Sequence, residues 1–436
     1  MRILETAADL AEIRRWLDRR VRFDEMKPDG VTAVVSKILL EVRTRRDEAL
    51  YELTAKLDRV HLTPGTMRVS PTELSEARSL VTSEFVTAIR VAIENILGFH
   101  KKQLRNDWLD IRDDGVILGQ RYQPVDAAGL YVPGGLAGTT PLVSSVLMNV
   151  LPAAVAGVER IIICTPPTVD GGINPYLLTA ATECGVTEIY KVGGAQAIAA
   201  MAFGTETIAP VDVITGPGNQ YVTEAKRQVF GYVGLDMLAG PSEILIIADS
   251  SNQPDCIAAD LLSQAEHGPV NEAGAFLLTP DPELAAAVSR AVDRQLEELS
   301  RNRIARQSLE ANGLIAVTRD LEEAFELANF CAPEHLELLV ADPWTRLHRL
   351  RHAGAIFIGP FSTEPIGDYV AGTNHVLPTN GTARFSSGLN VDHFLKKSSI
   401  ISYSRAGALK NGPAAVTIAG VEGLDAHANA IRWRLK

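Results

Sequence analysis

GLYVPGGLAGTTPLVSSVLMNVLPAAVAGVERIIIC, residues 129–164, reads as a strand, a glycine-rich turn, a helix and a second strand. The apolar run Gly129–Val132 ends at Val132-Pro133-Gly134-Gly135. The stretch 142–157 has the length of a helix, and Arg160–Cys164 is another short apolar run. No charged residue lies between Ala127 and Val158, a span long enough to cross a bilayer. Its three prolines and five glycines, with Thr139, Thr140, Ser144 and Ser145, would leave backbone polar groups unsatisfied in lipid. The stretch therefore reads as the buried interior of a soluble domain.

The same alternation continues downstream. Strands are expected at Glu188–Val192, Asp212–Thr215, Glu243–Ala248, Ala275–Leu278, Leu314–Val317 and Ala355–Ile358, with helices at 174–184, 195–203 and 219–230 among them. Strands separated by helices of this length imply parallel sheets with helices on their faces, and so many strands imply two sheets. Upstream, residues 6–59 carry helical periodicity with a break near Lys27-Pro28-Asp29-Gly30. Ser70-Pro71-Thr72-Glu73 has the order of a capping box, and a longer helix is expected from Ser83 to about Arg105.

At 436 residues the chain can bury a large core. A net charge of -11 argues against nucleic-acid binding. The N-terminus is charged throughout and lacks an apolar signal region, and the four cysteines show no CxxC spacing. A reduced cytoplasmic protein, with no membrane and no nucleic-acid partner, is the expectation.

Chemistry is concentrated in the second half, which holds seven of the nine histidines. GPFSTEPIGDYVAGTNHVLPT (359–379) carries Asp368 and His375 in a stretch whose glycines and prolines suggest a shaped loop. Gln264 and His267 lie three apart in an expected helix, Asp255–His267, and so share a face. With Asp368 and the distant His427 they form an N/O donor set suited to zinc, with manganese or cobalt as substitutes. Glu334 and His335 read either as an acid/base pair or as a charge pair ending a helix. Cys331 invites a thiol-nucleophile reading, against that of a small buried apolar residue. The turns Val132–Gly135 and Gly216-Pro217-Gly218-Asn219 each precede an expected helix. Helix N-terminal amides there could meet a phosphate, or the turns could be tight connections without a ligand. Neither is a GxGxxG fingerprint.

Ordered blocks along nearly the whole chain resemble the histidinol dehydrogenase family. They are GLYVPGG (129–135), SSVLMNVLPAAVAGV (144–158), VGGAQAIAA (192–200), ITGPGNQYVTEAKRQV (214–229), DMLAGPSEILIIAD (236–249), DLLSQAEHGP (260–269), APEHLEL (332–338), GDYVAGTNHVLPT (367–379) and EGLDAH (422–427). The resemblance is strongest from Gly129 onward.

It implies an α/β fold of two incomplete Rossmann-like parallel-sheet domains. These would be an N-terminal helical segment (1–25), a discontinuous first domain (26–127 with 240–380), a second domain (128–239) and a C-terminal dimerisation segment (381–436). It implies one zinc ion per subunit on Gln264, His267, Asp368 and His427, the last from the partner subunit of a homodimer with shared active sites. Substrate contacts would come from Ser242, Gln264, His267, His335, Asp368, His375, Glu422 and His427, and NAD contacts from Tyr131, Gln196 and Asn219. Glu334 and His335 become the catalytic acid/base pair, and Cys331 need not act.

The implied reaction is the four-electron, NAD-dependent oxidation of L-histidinol to L-histidine through bound L-histidinal, closing histidine biosynthesis. Relatives acting on another polar alcohol, such as sulfopropanediol, are the alternative. The turn 136–143 is longer than the family's commonest form, which bears on the cofactor contacts.

Overall fold

The computed structural model describes residues 1–19, 30–134, 140–267 and 273–436. Two parallel sheets organise it. The first runs β6–β5–β4–β7–β8, from Glu188–Tyr190, Arg160–Cys164, Ala127–Tyr131, Val213–Thr215 and Gly234–Leu235. The second runs β1–β11–β10–β9–β12–β13, from Arg2–Glu5, Gly313–Val317, Gly274–Thr279, Glu243–Ala248, His335–Leu339 and Ala355–Ile358. Every residue of β4, β9, β10 and β12 is buried, which is why these strands read as continuous apolar runs rather than alternating ones.

Both sheets share one winding. Two strands are laid to one side of the first, the chain crosses back, and the next two are laid on the other side. That leaves a switch point between β4 and β7 in one sheet and between β9 and β12 in the other. The second sheet adds β1, parallel to β11, at its edge. A third sheet, β14–β3–β2 (Leu395–Ser402, Ile117–Pro124, Trp108–Ile111), is antiparallel and went unforeseen in the sequence.

The expected helices 142–157, 174–184, 195–203 and 219–230 are found as Val143–Ala156, Pro175–Glu183, Gly194–Phe203 and Gln220–Val229. The capping box forms: Glu73 N donates to Ser70 Oγ at 3.2 Å and Ser70 N donates to Glu73 Oε2 at 2.8 Å. Of the break expected near Lys27-Pro28-Asp29-Gly30, residues 27–29 lie outside the described residues, and Gly30 takes φ 85° just before the helix Val31–Arg45.

Three expectations need correction. Glu334 and His335 do not end a helix. The helix Leu321–Cys331 stops at Ala332, in the left-handed region at φ 53°, Pro333 follows, and His335 is the first residue of a central strand. The stretch 359–379 is not all loop, because Glu364–Tyr369 forms a short helix that carries Asp368. The sequence pattern suggests one C-terminal helix over about Ala414–Leu435, whereas the structure has two, Arg405–Val421 and Asp425–Leu435, turning at Gly423 with φ 70°.

Packing also brings together elements that are remote along the chain. Helices Val31–Arg45 and Asp47–Leu57, with Ser83–His100, bury their apolar faces in the two cores of the first sheet, against Ala197, Ile198, Val146 and Val150. They do not join the sheet of residues 243–358. The N-terminal segment does join it, through β1 and through Ile13 and Leu17 in its core. No helix among the described residues is long and apolar enough to cross a membrane.

Candidate active site

At the switch point of the first sheet, β4 and β7 lie side by side with their carboxyl ends on one edge. Tyr131 ends β4. It is buried, its hydroxyl accepts the Gly194 amide at 3.1 Å, and burial pushes its pKa up to about 12. Gln196, in the first turn of Gly194–Phe203, is buried with Oε1 lacking a protein partner. Asn219 is exposed and caps Gln220–Val229, its Oδ1 accepting Tyr221 N at 3.0 Å and Val222 N at 3.2 Å.

The turn between β7 and that helix is fixed from below. Gly216 N donates to Asp236 Oδ2 at 2.8 Å, and the buried Lys226 Nζ donates to Gly216 O at 3.0 Å and to Asp236. Gly216 holds φ 115°, and a Cβ there would lie 2.1 Å from Tyr131 O, so the two strand ends pack backbone to backbone. The expected cofactor contacts Tyr131, Gln196 and Asn219 thus all lie at strand ends or helix starts on the carboxyl edge of the first sheet, the edge where open α/β sheets take their ligands. Gly135, at the end of the neighbouring turn, and residues 136–139 of the longer turn lie outside the described residues.

The second sheet does the opposite and gathers its polar groups at the amino ends of β9 and β12. His335, the first residue of β12, is buried between the strands. Its Nδ1–H donates to Glu243 O at 3.2 Å and to Gln264 Oε1 at 3.1 Å. Both partners are oxygen acceptors, so Nδ1 carries the proton and Nε2 keeps a free lone pair. That Nε2 is buried without a hydrogen-bond partner, 3.8 Å from Asp368 Oδ1. Burial pushes the imidazole pKa down to about 4, keeping it neutral.

Glu334, also buried, accepts the Glu243 amide at 3.1 Å and a hydrogen bond from Ser242, and lies 3.7 Å from His335 Nδ1. Burial, then the charges of Glu243 and Asp368, hold its carboxyl well above the usual range.

The helix Pro254–Ala265 returns from β9 to the same edge, delivering Gln264 and His267 there, with Gln264 Nε2 donating to His267 Nδ1 at 3.3 Å. From the short helix after β13, Asp368 and Glu364 meet His267, and one ligand atom of each lies within 4.8 Å of the others. Burial and the charge of Glu364 push the Asp368 carboxyl up to about 9. Glu364 is buried with Oε1 unpartnered, and its amide donates to Glu337 Oε1 at 2.9 Å. Behind it, burial lifts Asp260 to about 6 and Glu337 well above the usual range.

Buried carboxyls that are unfavourable as bare anions, beside an imidazole and an amide, form a donor set that a divalent cation would satisfy. His375 lies against the same cluster, Nδ1–H donating to Asp368 O at 3.2 Å, its pKa lowered to about 4 by burial.

Segment 370–380 ties this edge to the first sheet's helices. Asn95 Nδ2 donates to Val370 O at 2.7 Å, and Asn374 Nδ2 donates to Met148 O at 2.6 Å.

The structure thus gathers Ser242, Gln264, His267, Glu334, His335, Asp368 and His375. It does not bring Glu422 or His427 to them, for both are exposed on the C-terminal helix pair. Cys331 is buried and burial pushes its thiol up, so it is not a nucleophile candidate. The sequence reading missed Glu364, Glu337 and Glu243. The available signals were Glu364 four residues before Asp368, and a glutamate inside each of the apolar runs that became β9 and β12.

The histidinol dehydrogenase family model matches residues 22–435. A histidinol dehydrogenase of Geobacillus kaustophilus is 56% identical over 402 residues, covering 92% of this chain and 93% of that protein. Another, from Thermosynechococcus vestitus, is 52% identical over the full length of both chains. A crystal structure of histidinol dehydrogenase from Elizabethkingia anophelis superposes with a TM-score of 0.93 at 40% identity, covering 100% of this chain and 98% of that one. With its two like-wound sheets and a buried acid–imidazole pair at the amino edge of the second, this chain belongs to the histidinol dehydrogenase family.

Proposed function

We propose that this chain oxidises L-histidinol to L-histidine in two successive hydride removals, through L-histidinal kept in the site. The observation that carries the reading is the neutral His335, its free Nε2 aimed at the group formed by His267, Glu364 and Asp368. His335 Nε2 takes the substrate hydroxyl proton in the first step. Glu334 then takes a proton from the water that adds to the aldehyde while His335 returns its proton to the former carbonyl oxygen, and the freed His335 Nε2 takes the hydrate's proton in the second hydride removal. Burial of both groups excludes bulk water and guards the reactive aldehyde.

Gln264, His267 and Asp368, joined by His427 of the partner subunit in a homodimer, would hold zinc. The ion would orient the imidazole and amino nitrogens of the substrate. NAD would lie at the carboxyl ends of β4 and β7 on Tyr131, Gln196 and Asn219, and it supplies the hydride acceptor. Ser242, His375 and Glu422 would complete the substrate contacts. Exposure of Glu422 and His427 on this chain supports their service to a second copy.

The test is NADH formed per L-histidinol supplied in limiting amount, with sulfopropanediol alongside. The expected result is two NADH per histidinol, lost on chelation and recovered with zinc. Oxidation of sulfopropanediol without histidinol turnover would move the substrate assignment.

A further inference from the structure

Both members of the acid–imidazole pair are held by the backbone of one residue, Glu243. Its N–H donates to Glu334 Oε2 at 3.1 Å and its C=O accepts His335 Nδ1–H at 3.2 Å. The side chain of that residue is fully buried at the first position of β9, where an apolar residue would serve the sheet better. A buried carboxylate is costly, and ion pairing usually does no more than offset that cost. A buried carboxylate at this position therefore calls for a role other than stability.

The carboxylate is held from two sides. Arg19 Nε donates to Oε2 at 3.3 Å, and Asn380 N donates to Oε1 at 3.2 Å. Arg19 is itself buried, its guanidinium 5.6 Å from the centre of the Phe276 ring. It follows the N-terminal helix Thr6–Leu17, far in sequence from every group it serves.

We propose that Arg19 and Glu243 are positioning residues for this reaction: the ion pair clamps the start of β9 so that one peptide unit on each side of Glu243 orients Glu334 and fixes the His335 tautomer. Nothing in this requires either side chain to touch substrate or cofactor. The N-terminal segment thereby becomes part of the catalytic support, although its sequence carries no chemistry of its own. The idea rests on the acid/base reading of Glu334 and His335.

The test uses the zinc-loaded full chain at saturating histidinol and NAD, with Arg19→Met, Glu243→Gln, the double variant and Arg19→Lys. Misplacing reacting groups by a fraction of an ångström to an ångström lowers turnover about 10- to 100-fold. That loss is expected in kcat for each single variant, with KM for both substrates and zinc content unchanged. The double variant should be no worse than the singles, because the pair acts as a unit. Arg19→Lys should recover part of the loss.

Parental kcat in Arg19→Met or Glu243→Gln, or a loss confined to KM, overturns the proposal. Should Arg19→Met not fold, Glu243→Gln and Arg19→Lys carry the same two outcomes. Measuring His335→Asn in the same assay separates the two levels. Full turnover in His335→Asn removes the acid/base reading, whereas loss there with parental kcat in Arg19→Met removes only the clamp.

Discussion

His335 can serve as a base, as proposed, because of where its protons cannot go. Two oxygen acceptors take up Nδ1–H, and burial resists protonation of Nε2, so one ring nitrogen remains to accept a proton. His335→Asn keeps a donor for Glu243 O and removes that acceptor. Turnover should fall by about two to four orders of magnitude, the worth of a positioned general base, with zinc content retained. Loss of zinc together with activity would show that the imidazole serves the metal instead. Glu364 makes the complementary case. It sits in the group with His267 and Asp368 and keeps an unpartnered buried oxygen. Glu364→Gln, nearly isosteric, is expected to weaken metal affinity about 10- to 100-fold, as read by competition with a chelator. Parental affinity would make Glu364 a bystander.

At the scale of elements, the turn after β7 places Asn219 and the amides behind it. It can do so only because Gly216 admits φ 115° and the approach of Tyr131 O. Gly216→Ala cannot relieve that contact, since the atom it meets is backbone. A destabilisation of about 1–3 kcal/mol is expected in urea unfolding, with a raised KM for NAD and little change in KM for histidinol. Equal effects on both substrates would place the turn's influence elsewhere. These turns were legible as glycine and proline punctuation between apolar runs. The strand of His335 was not, because Pro333-Glu334-His335 joins the preceding helix to an apolar run of only a few residues. Length could not separate a strand start from a helix end.

Across the whole molecule, the two sheets wind alike yet use opposite edges, carboxyl ends in one and amino ends in the other. Segment 370–380 ties the amino-edge site to the helices of the first sheet. The exposed C-terminal helix pair stands outside this arrangement. If a second copy receives it, His427→Ala and His335→Asn subunits, each inactive alone, should regain up to about a quarter of parental activity when mixed. Random pairing leaves about a quarter of the sites intact if each needs one donor and one acceptor subunit. No recovery after verified subunit exchange would confine each site to one chain.

Sequence alone determined the elements whose signals are local. Unbroken apolar runs became buried parallel strands, Ser70 and Glu73 became a capping box, and the Gly-Pro punctuation became strand-to-helix turns. It also picked out Gln264, His267, Glu334, His335, Asp368 and His375 as one chemical neighbourhood, because a resemblance spanning many blocks carries residue types together with their order. Tertiary structure decided what depends on contacts remote in sequence. Helices 31–57 and 83–100 packed on the first sheet because its faces offered the apolar surface. Glu364 completed a cluster only when the crossover after β13 brought it to His267. Arg19 met Glu243 only when β1 docked beside β11 and carried the N-terminal helix over the core. Burial decides whether such groups stay charged, and burial is set by the assembled fold rather than by any stretch of the chain.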